Sequence, residues 1–154
     1  ADESQDDARA QLAAGSFLSS FGLLNESLSR LSLAQKLMPS KQGIYYEIGS
    51  AYINQKNYAA ALQSFKTAYD LAPDSEESVV IYLIGAIYAQ DSGLEARLTA
   101  QLSERAVIFE DRLIGAYYTT GRLDKVRNIL ERRKQLDPAN AATYDNYLKQ
   151  VNVQ

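Results

Sequence analysis

YYEIGSAYINQKNYAAALQSFKTAYDLAP, residues 45–73, is the stretch whose reading decides the fold. Gly49, Ala61 and Ala68 stand three or four positions from large apolar residues, where bulkier side chains would give more buried surface. Small residues at that spacing let two helices approach closely, so the stretch reads as an antiparallel helix pair.

The rest of the chain asks whether that pair stands alone. Pro39 and Pro73 each close an apolar-periodic segment, and they lie 34 residues apart. One period upstream, Gly15 falls under Gly49, Leu18 under Tyr52, Ser27 under Ala61, Leu31 under Phe65 and Ala34 under Ala68. Small residues recur with small ones and large with large, which is the mark of a repeat.

The pattern carried by Tyr45, Ile48, Gly49, Tyr52, Ala61, Phe65, Ala68 and Pro73 resembles the tetratricopeptide repeat (TPR) family. The resemblance implies an all-α, right-handed solenoid in which small residues join the helices of one pair and Tyr52, Phe65 and Ala68 fill the joint with the next. A third unit is matched by Ile81, Ile84, Gly85 and Tyr88, with two extra residues in PDSEES before it and a second helix from about Leu94 that ends without proline. A fourth carries Gly115, Tyr118, Gly121, Val126, Leu130 and Pro138, although Leu113 with Tyr117 fits its first helix equally well. After Pro138, Tyr144, Tyr147 and Leu148 share one face, as a capping helix would. The expectation is therefore about nine helices: four hairpins and a cap. Residues 1–7 are expected as a frayed acidic end, 8–150 as one repeat domain and 151–154 as a tail.

Composition agrees with this class. The chain has 154 residues, 46% of them hydrophobic, enough for one core, and only three prolines and eight glycines, which favours helices. Net charge is −3, so no basic excess points to nucleic acid. The absence of cysteine removes disulfides and thiolate metal sites. The start, ADESQDD, differs from a signal peptide, and no apolar run reaches the ~18–20 residues that span a bilayer. The segment is thus not expected to insert into a membrane; its compartment stays open, and its initial Ala is compatible with a piece of a larger protein.

Catalysis has few candidates. There is no histidine, so the usual general base and the commonest metal ligand are missing. Neither a GxxxxGK[ST] loop nor a GxSxG elbow occurs. Asp2, Glu3, Asp6 and Asp7 are gathered in a terminal stretch that reads as a solvated end, and Glu110 and Asp111 are adjacent but diverge on a helix. The basic run from Arg122 to Lys134 reads as a solvated convex face. Asn25-Glu26-Ser27 matches a glycosylation triplet. No enzyme activity, metal or cofactor is expected.

In the TPR family the first helices line a concave groove. That resemblance places Leu12, Ser16, Tyr46, Ser50, Ile53, Tyr82, Ala86, Arg112, Ala116 and Thr119 there. Members that clamp a peptide carboxylate carry Lys, Asn and Arg where this chain has Leu12, Ser16 and Tyr46, so that ligand is not expected. Arg112 is the one strong anion partner of the set, with an ion pair to a neighbouring acid as the alternative. Tyr46 and Tyr82 offer flat apolar plates with polar tips.

The first functional expectation is a scaffold that binds a protein or peptide segment in this groove. A second follows from phrases such as FEDRLIGAYYTTGRLDKVRNILERRKQLDP, which resemble the soluble repeat region of bacterial O-antigen ligase and polymerase-type membrane proteins. The chain would then be the accessory module of a glycan enzyme. Self-association into a homo-oligomer through an apolar end or groove is the third.

Overall fold

A computed structural model describes residues 3–152 and the side chains of 5–151. The helices in chain order are α1 (Glu3–Ser20), α2 (Leu24–Leu37), α3 (Gln42–Asn54), α4 (Tyr58–Leu71), α5 (Glu76–Tyr88), α6 (Ser92–Thr99), α7 (Glu104–Ile108), α8 (Asp111–Thr119), α9 (Leu123–Leu136) and α10 (Ala141–Asn152). A 3-10 turn over Pro138–Asn140 precedes α10. Hairpins α1–α2, α3–α4, α5–α6 and α8–α9 stack in order, and α10 packs on α9. The fold is an all-α helical-repeat solenoid.

The four hairpin turns explain the period physically. Each first helix ends in a residue with left-handed backbone: Gly22 (φ 75), Lys56 (φ 58), Gln90 (φ 57) and Gly121 (φ 74). The N–H of the residue after it returns to a carbonyl in the last helical turn, Leu23 to Leu18, Asn57 to Tyr52, Asp91 to Ala86 and Arg122 to Tyr117, at 2.8–3.0 Å. That is a Schellman stop, which satisfies carbonyls the helix end leaves unpaired. Asn57 and Asp91 then cap α4 and α6 by accepting from Ala60 and Leu94.

Gly22, Lys56 and Gln90 follow one another at 34 residues, and Gly121 follows Gln90 at 31. This corrects two expectations. No insertion precedes α5, since its first residue lies 34 after that of α3. The counterparts of Tyr45, Ile48, Gly49 and Tyr52 are therefore Val79, Tyr82, Leu83 and Ala86, all buried. The shortening falls afterwards, where the eight-residue α6 and the extra helix α7 replace one fourteen-residue second helix. Ten α-helices among the described residues, rather than nine, result.

In the fourth unit, position matching by glycine also misleads. Leu113, Ala116 and Tyr117 are buried, while Gly115 and Tyr118 are exposed. The Leu113–Tyr117 register holds because it keeps α8 in step with its left-handed stop at Gly121.

The core is closest at Phe65. A Cβ built on Gly49 would lie 2.2 Å from the ring, and one on Gly85, in the next unit, 2.8 Å from it. Phe65 thus fills the joint between two successive first helices, and both glycines are required for it to fit. Tyr45, Ile48, Ala61 and Ala68 are buried around the same hairpin, Tyr52 is half-buried, and Pro73 is exposed after α4. Ser27, the Ala61 counterpart, is wholly buried and donates its hydroxyl to the Gly15 carbonyl at 2.8 Å. The glycosylation triplet it belongs to is therefore part of a helix joint.

At the ends, residues 3–7 of the acidic segment are helical, with Asp6 facing Arg9 at 3.4 Å, and residues 1 and 2 lie outside the described residues. Val151 is buried in α10, and residues 153 and 154 lie outside the described residues. Among the described residues no helix is long and apolar enough to cross a membrane.

Candidate functional site

First helices α3, α5 and α8 border a groove of about 360 Å³. The shared register builds it in columns, one residue from each unit. Ser50, Ile84 and Gly115 form one column, Asn54, Tyr88 and Thr119 the next, with Ile81 and Arg112 ahead of them. Of the residues expected here, Ser50, Ile53, Arg112, Ala116 and Thr119 are brought together around it. Ile81, Ile84 and Gly115 were missed for the groove, and Tyr88 was assigned to packing alone. For Ile81, Ile84 and Tyr88 the signal was the 34-residue spacing of helix starts, which matching by glycine overrode.

The other expected residues lie elsewhere. Tyr82 is buried with its ring 5.3 Å from Tyr69 of α4, in a helix joint, and Ala86 is fully buried. Leu12 packs against the N-terminal core, and Ser16 donates to Glu47 at 2.8 Å across the α1–α3 seam. Tyr46 does not line the groove; it is half-buried, with its hydroxyl 3.4 Å from Ser78 Oγ. Burial pushes that hydroxyl above the usual tyrosine range.

Arg112 is held on both sides. Its Nη1 and Nη2 donate to the two oxygens of Glu77 at 2.6 and 2.8 Å, and its Nε and Nη2 to Glu110 at 2.9 and 2.8 Å. Glu110 also accepts from the Arg112 backbone N–H at 3.0 Å, capping α8. Hydrogen bonds from Arg112 hold both carboxyls below the usual carboxylate range, and the two acids push the guanidinium higher still. The cation that was the anion candidate is thus neutralised by two carboxylates, so the groove presents isoleucines, a tyrosine and small polar groups with no free positive charge of its own.

Four of the six basic residues in the run from Arg122 to Lys134 are likewise paired, all but Lys125 and Arg127. Arg122 pairs with Glu95, Arg132 with Glu104, Arg133 with Asp111 and Lys134 with Asp145. A phosphate track needs unpaired cations in line, and only Lys125 and Arg127 of the run have no ion pair among the described residues. Among the described residues no group of three or more acidic side chains could hold a metal ion.

A tetratricopeptide repeat model matches residues 43–75. No curated protein matches the chain, so the resemblance to O-antigen ligase-type proteins finds no support there. Among solved structures, the Pseudomonas aeruginosa PilF protein is similar at 16% identity over 93% of this chain and 66% of that one, with a TM-score of 0.59. The chain therefore spans just under two thirds of PilF. MamA of AMB-1 is similar at 16% identity over 85% of this chain and 73% of that one, TM-score 0.58. YrrB, described as a TPR protein with an unusual peptide-binding site, is similar at 19% identity over 96% of this chain and 81% of that one, TM-score 0.62. At these identities the likeness is one of fold. Residues 43–75 match the tetratricopeptide repeat, and the described residues share the helical-repeat fold of these structures.

Proposed function

We propose that the chain is a non-catalytic protein-interaction scaffold whose groove takes an extended, uncharged peptide segment with apolar side chains. The observation that carries this is the pinning of Arg112 by Glu77 and Glu110 beside a floor of Ile53, Ile81, Ile84 and Tyr88. An anionic ligand would compete with two carboxylates already in place, whereas an apolar side chain displaces only water. Gly115 supports this, because a Cβ there would meet nothing within 4 Å, leaving open space for a ligand side chain. Ser50, Asn54 and Thr119 supply polar groups for a peptide backbone.

The test is peptide selection from a displayed random library, followed by affinity measurement with Ser50→Trp and Thr119→Trp, both at exposed positions. Neutral apolar sequences should be enriched, and each variant should lose about tenfold or more in affinity while keeping its helicity. Selection of acidic sequences, or unchanged affinity in both variants, would overturn the proposal.

A second reading, self-association, has one specific observation behind it. Phe17 occupies the place that Ala51 fills in the next unit, fully buried, yet Phe17 is 64% exposed, its ring tilted against that of the exposed Phe21 with centroids 4.8 Å apart. Sedimentation over a range of concentrations should show a mass that rises in the wild type and stays monomeric in Phe17→Ser/Phe21→Ser. A monomer at every concentration would remove this reading.

A further inference from the structure

One face of α1 is apolar and open. Ala10, Ala13, Phe17 and, one residue past the helix end, Phe21 follow one another at helical spacing, and all four are exposed. At 64% and 67%, Phe17 and Phe21 are more exposed than any other large apolar side chain among the described residues. On the opposite side α1 closes on α2, where a Cβ built on Gly15 would lie 2.6 Å from Leu31.

In later units the matching face lies against the preceding second helix. Five residues before each left-handed stop stand Ala51, Gly85 and Ala116, all small and all buried. Ala51 shares a core with Leu31 and Ala34 of α2. A Cβ on Gly85 would lie 2.8 Å from Phe65 and 3.3 Å from Leu62, both of α4. The position is small because a second helix lies on it. Phe17 holds that position in α1, and its ring would fill the space such a helix needs. This face is therefore not shaped for one more hairpin of the same kind.

It is shaped for itself. Along α1 the residues run from small to large: Ala10, Ala13 and the half-buried Ala14 come first, then Phe17 and Phe21. Two copies of α1 set antiparallel, with the two-fold axis level with the gap between Gly15 and Ser16, bring Ala10 against the second copy's Phe21 and Ala14 against its Phe17. Both pairs share that one axis. Parallel helices would set phenylalanine on phenylalanine and alanine on alanine, and would hold the exposed Asp6 and Asp7 of both copies side by side. Antiparallel helices keep those charges at opposite ends and oppose their dipoles. The far end of the solenoid offers no better counterpart, since the exposed residues of α10 include Thr143, Asn146, Lys149 and Gln150, with Tyr147 the one large apolar side chain.

We infer that the chain forms a closed dimer by antiparallel pairing of α1 with α1 of a second copy. The inference rests on the self-association reading above and adds which surface pairs and in which direction.

Sedimentation equilibrium of three chains tests the surface. Ala10→Phe, at an exposed position, enlarges the apolar face, yet it should weaken dimerisation about tenfold or more, because the new ring meets the second copy's Phe21. Adding Phe21→Ala exchanges the sizes in both copies and should restore the wild-type constant to within about threefold. A spin label on Asp7→Cys reads the direction, and the label site is unique because the natural chain has no cysteine. At 1.5 Å rise per residue and ~8–10 Å between axes, antiparallel pairing places the two labelled backbone positions about 27 Å apart, and parallel pairing about 10 Å. A dimer with the short distance, or one that Ala10→Phe leaves intact or tightens, overturns this inference while self-association stands. A monomer at every concentration removes both.

Discussion

Hairpin α3–α4 and the α6-to-α9 region solve the same joint in opposite ways. In the first, Gly49, Ala61 and Ala68 let helices close around Phe65, and no charged side chain is buried in the joint, whose polar contacts are those of Gln42 with the Ala68 carbonyl and the Ser78 hydroxyl. In the second, Ile114 stands where Gly49 does, Glu95 where Ala61 does, and Arg133 where Ala68 does. Larger residues replace the small ones, and charged groups enter the joint. Glu95, 7% exposed, accepts from the Tyr117 hydroxyl at 2.9 Å and pairs with Arg122, while Arg133 reaches Asp111 and the Ile108 carbonyl. Cavities of about 520 and 660 Å³ border these networks. A repeat fold thus tolerates loss of its small residues where hydrogen bonds satisfy the charges brought in, and what it gives up is close packing.

The largest expected effect tests the packed side of that contrast. Phe65→Ala should cost about 3–5 kcal/mol, since it removes the ring clamped between two glycines. Leu130→Ala, at the same place in the fourth unit but not clamped between two glycines, should fall near the lower end of the ~2–5 kcal/mol range. Urea unfolding of both variants measures the difference, and equal losses would break the contrast.

On the charged side, Glu95→Ala restores a small residue yet strands the Tyr117 hydroxyl and Arg122. It should cost about 1–3 kcal/mol. Adding Tyr117→Phe should cost less than the two single changes summed, as expected for groups in one network, and a double-mutant cycle by urea unfolding reads it. Additive losses would show that the network is not coupled.

The turns offer a smaller effect in both regions. Lys56 and Gln90 adopt left-handed backbone without being glycine. Lys56→Gly and Gln90→Gly should each stabilise by up to ~1 kcal/mol, measured as a rise in the urea midpoint. Destabilisation at both sites would mean that the side chains contribute more than the strain costs.

Smallest is the pH response of the groove cluster. Glu77 and Glu110 have folded-state values below the usual carboxylate range, so the stability they contribute is present above the ordinary glutamate value and is lost as pH falls through the lowered ones. Both are partly exposed, so the slope should be shallow. In acid, wild type should lose stability faster than Arg112→Gln, and parallel curves would detach the cluster from the folded state.

The same contrast explains what could be read in advance. Units one and two follow the small-and-large pattern residue by residue, and the hairpins, the period and the capping α10 were legible from it. Beyond Pro73 the glycines stop marking the joint: Gly85 touches the previous unit's Phe65, and Gly115 faces the groove. Aligning on them displaced Tyr82 and Ala86 into the groove and Tyr118 into the core. The feature that keeps the true period, a left-handed helix stop, is carried by Lys56 and Gln90, which give no sequence signal for it. Helix α7 was hidden for a related reason, because a five-residue helix capped by Ser103 has no apolar period to display.

One comparison tests the account most directly: Gly49→Ala against Gly115→Ala, both within first helices, by urea unfolding. At Gly49 the added methyl would lie 2.2 Å from Phe65, and at Gly115 it meets nothing within 4 Å. The account predicts opposite signs, a loss of about 1–3 kcal/mol at Gly49 from overpacking and a gain of about 0.5–1 kcal/mol at Gly115 from helix propensity. Changes of the same sign at both glycines would contradict it.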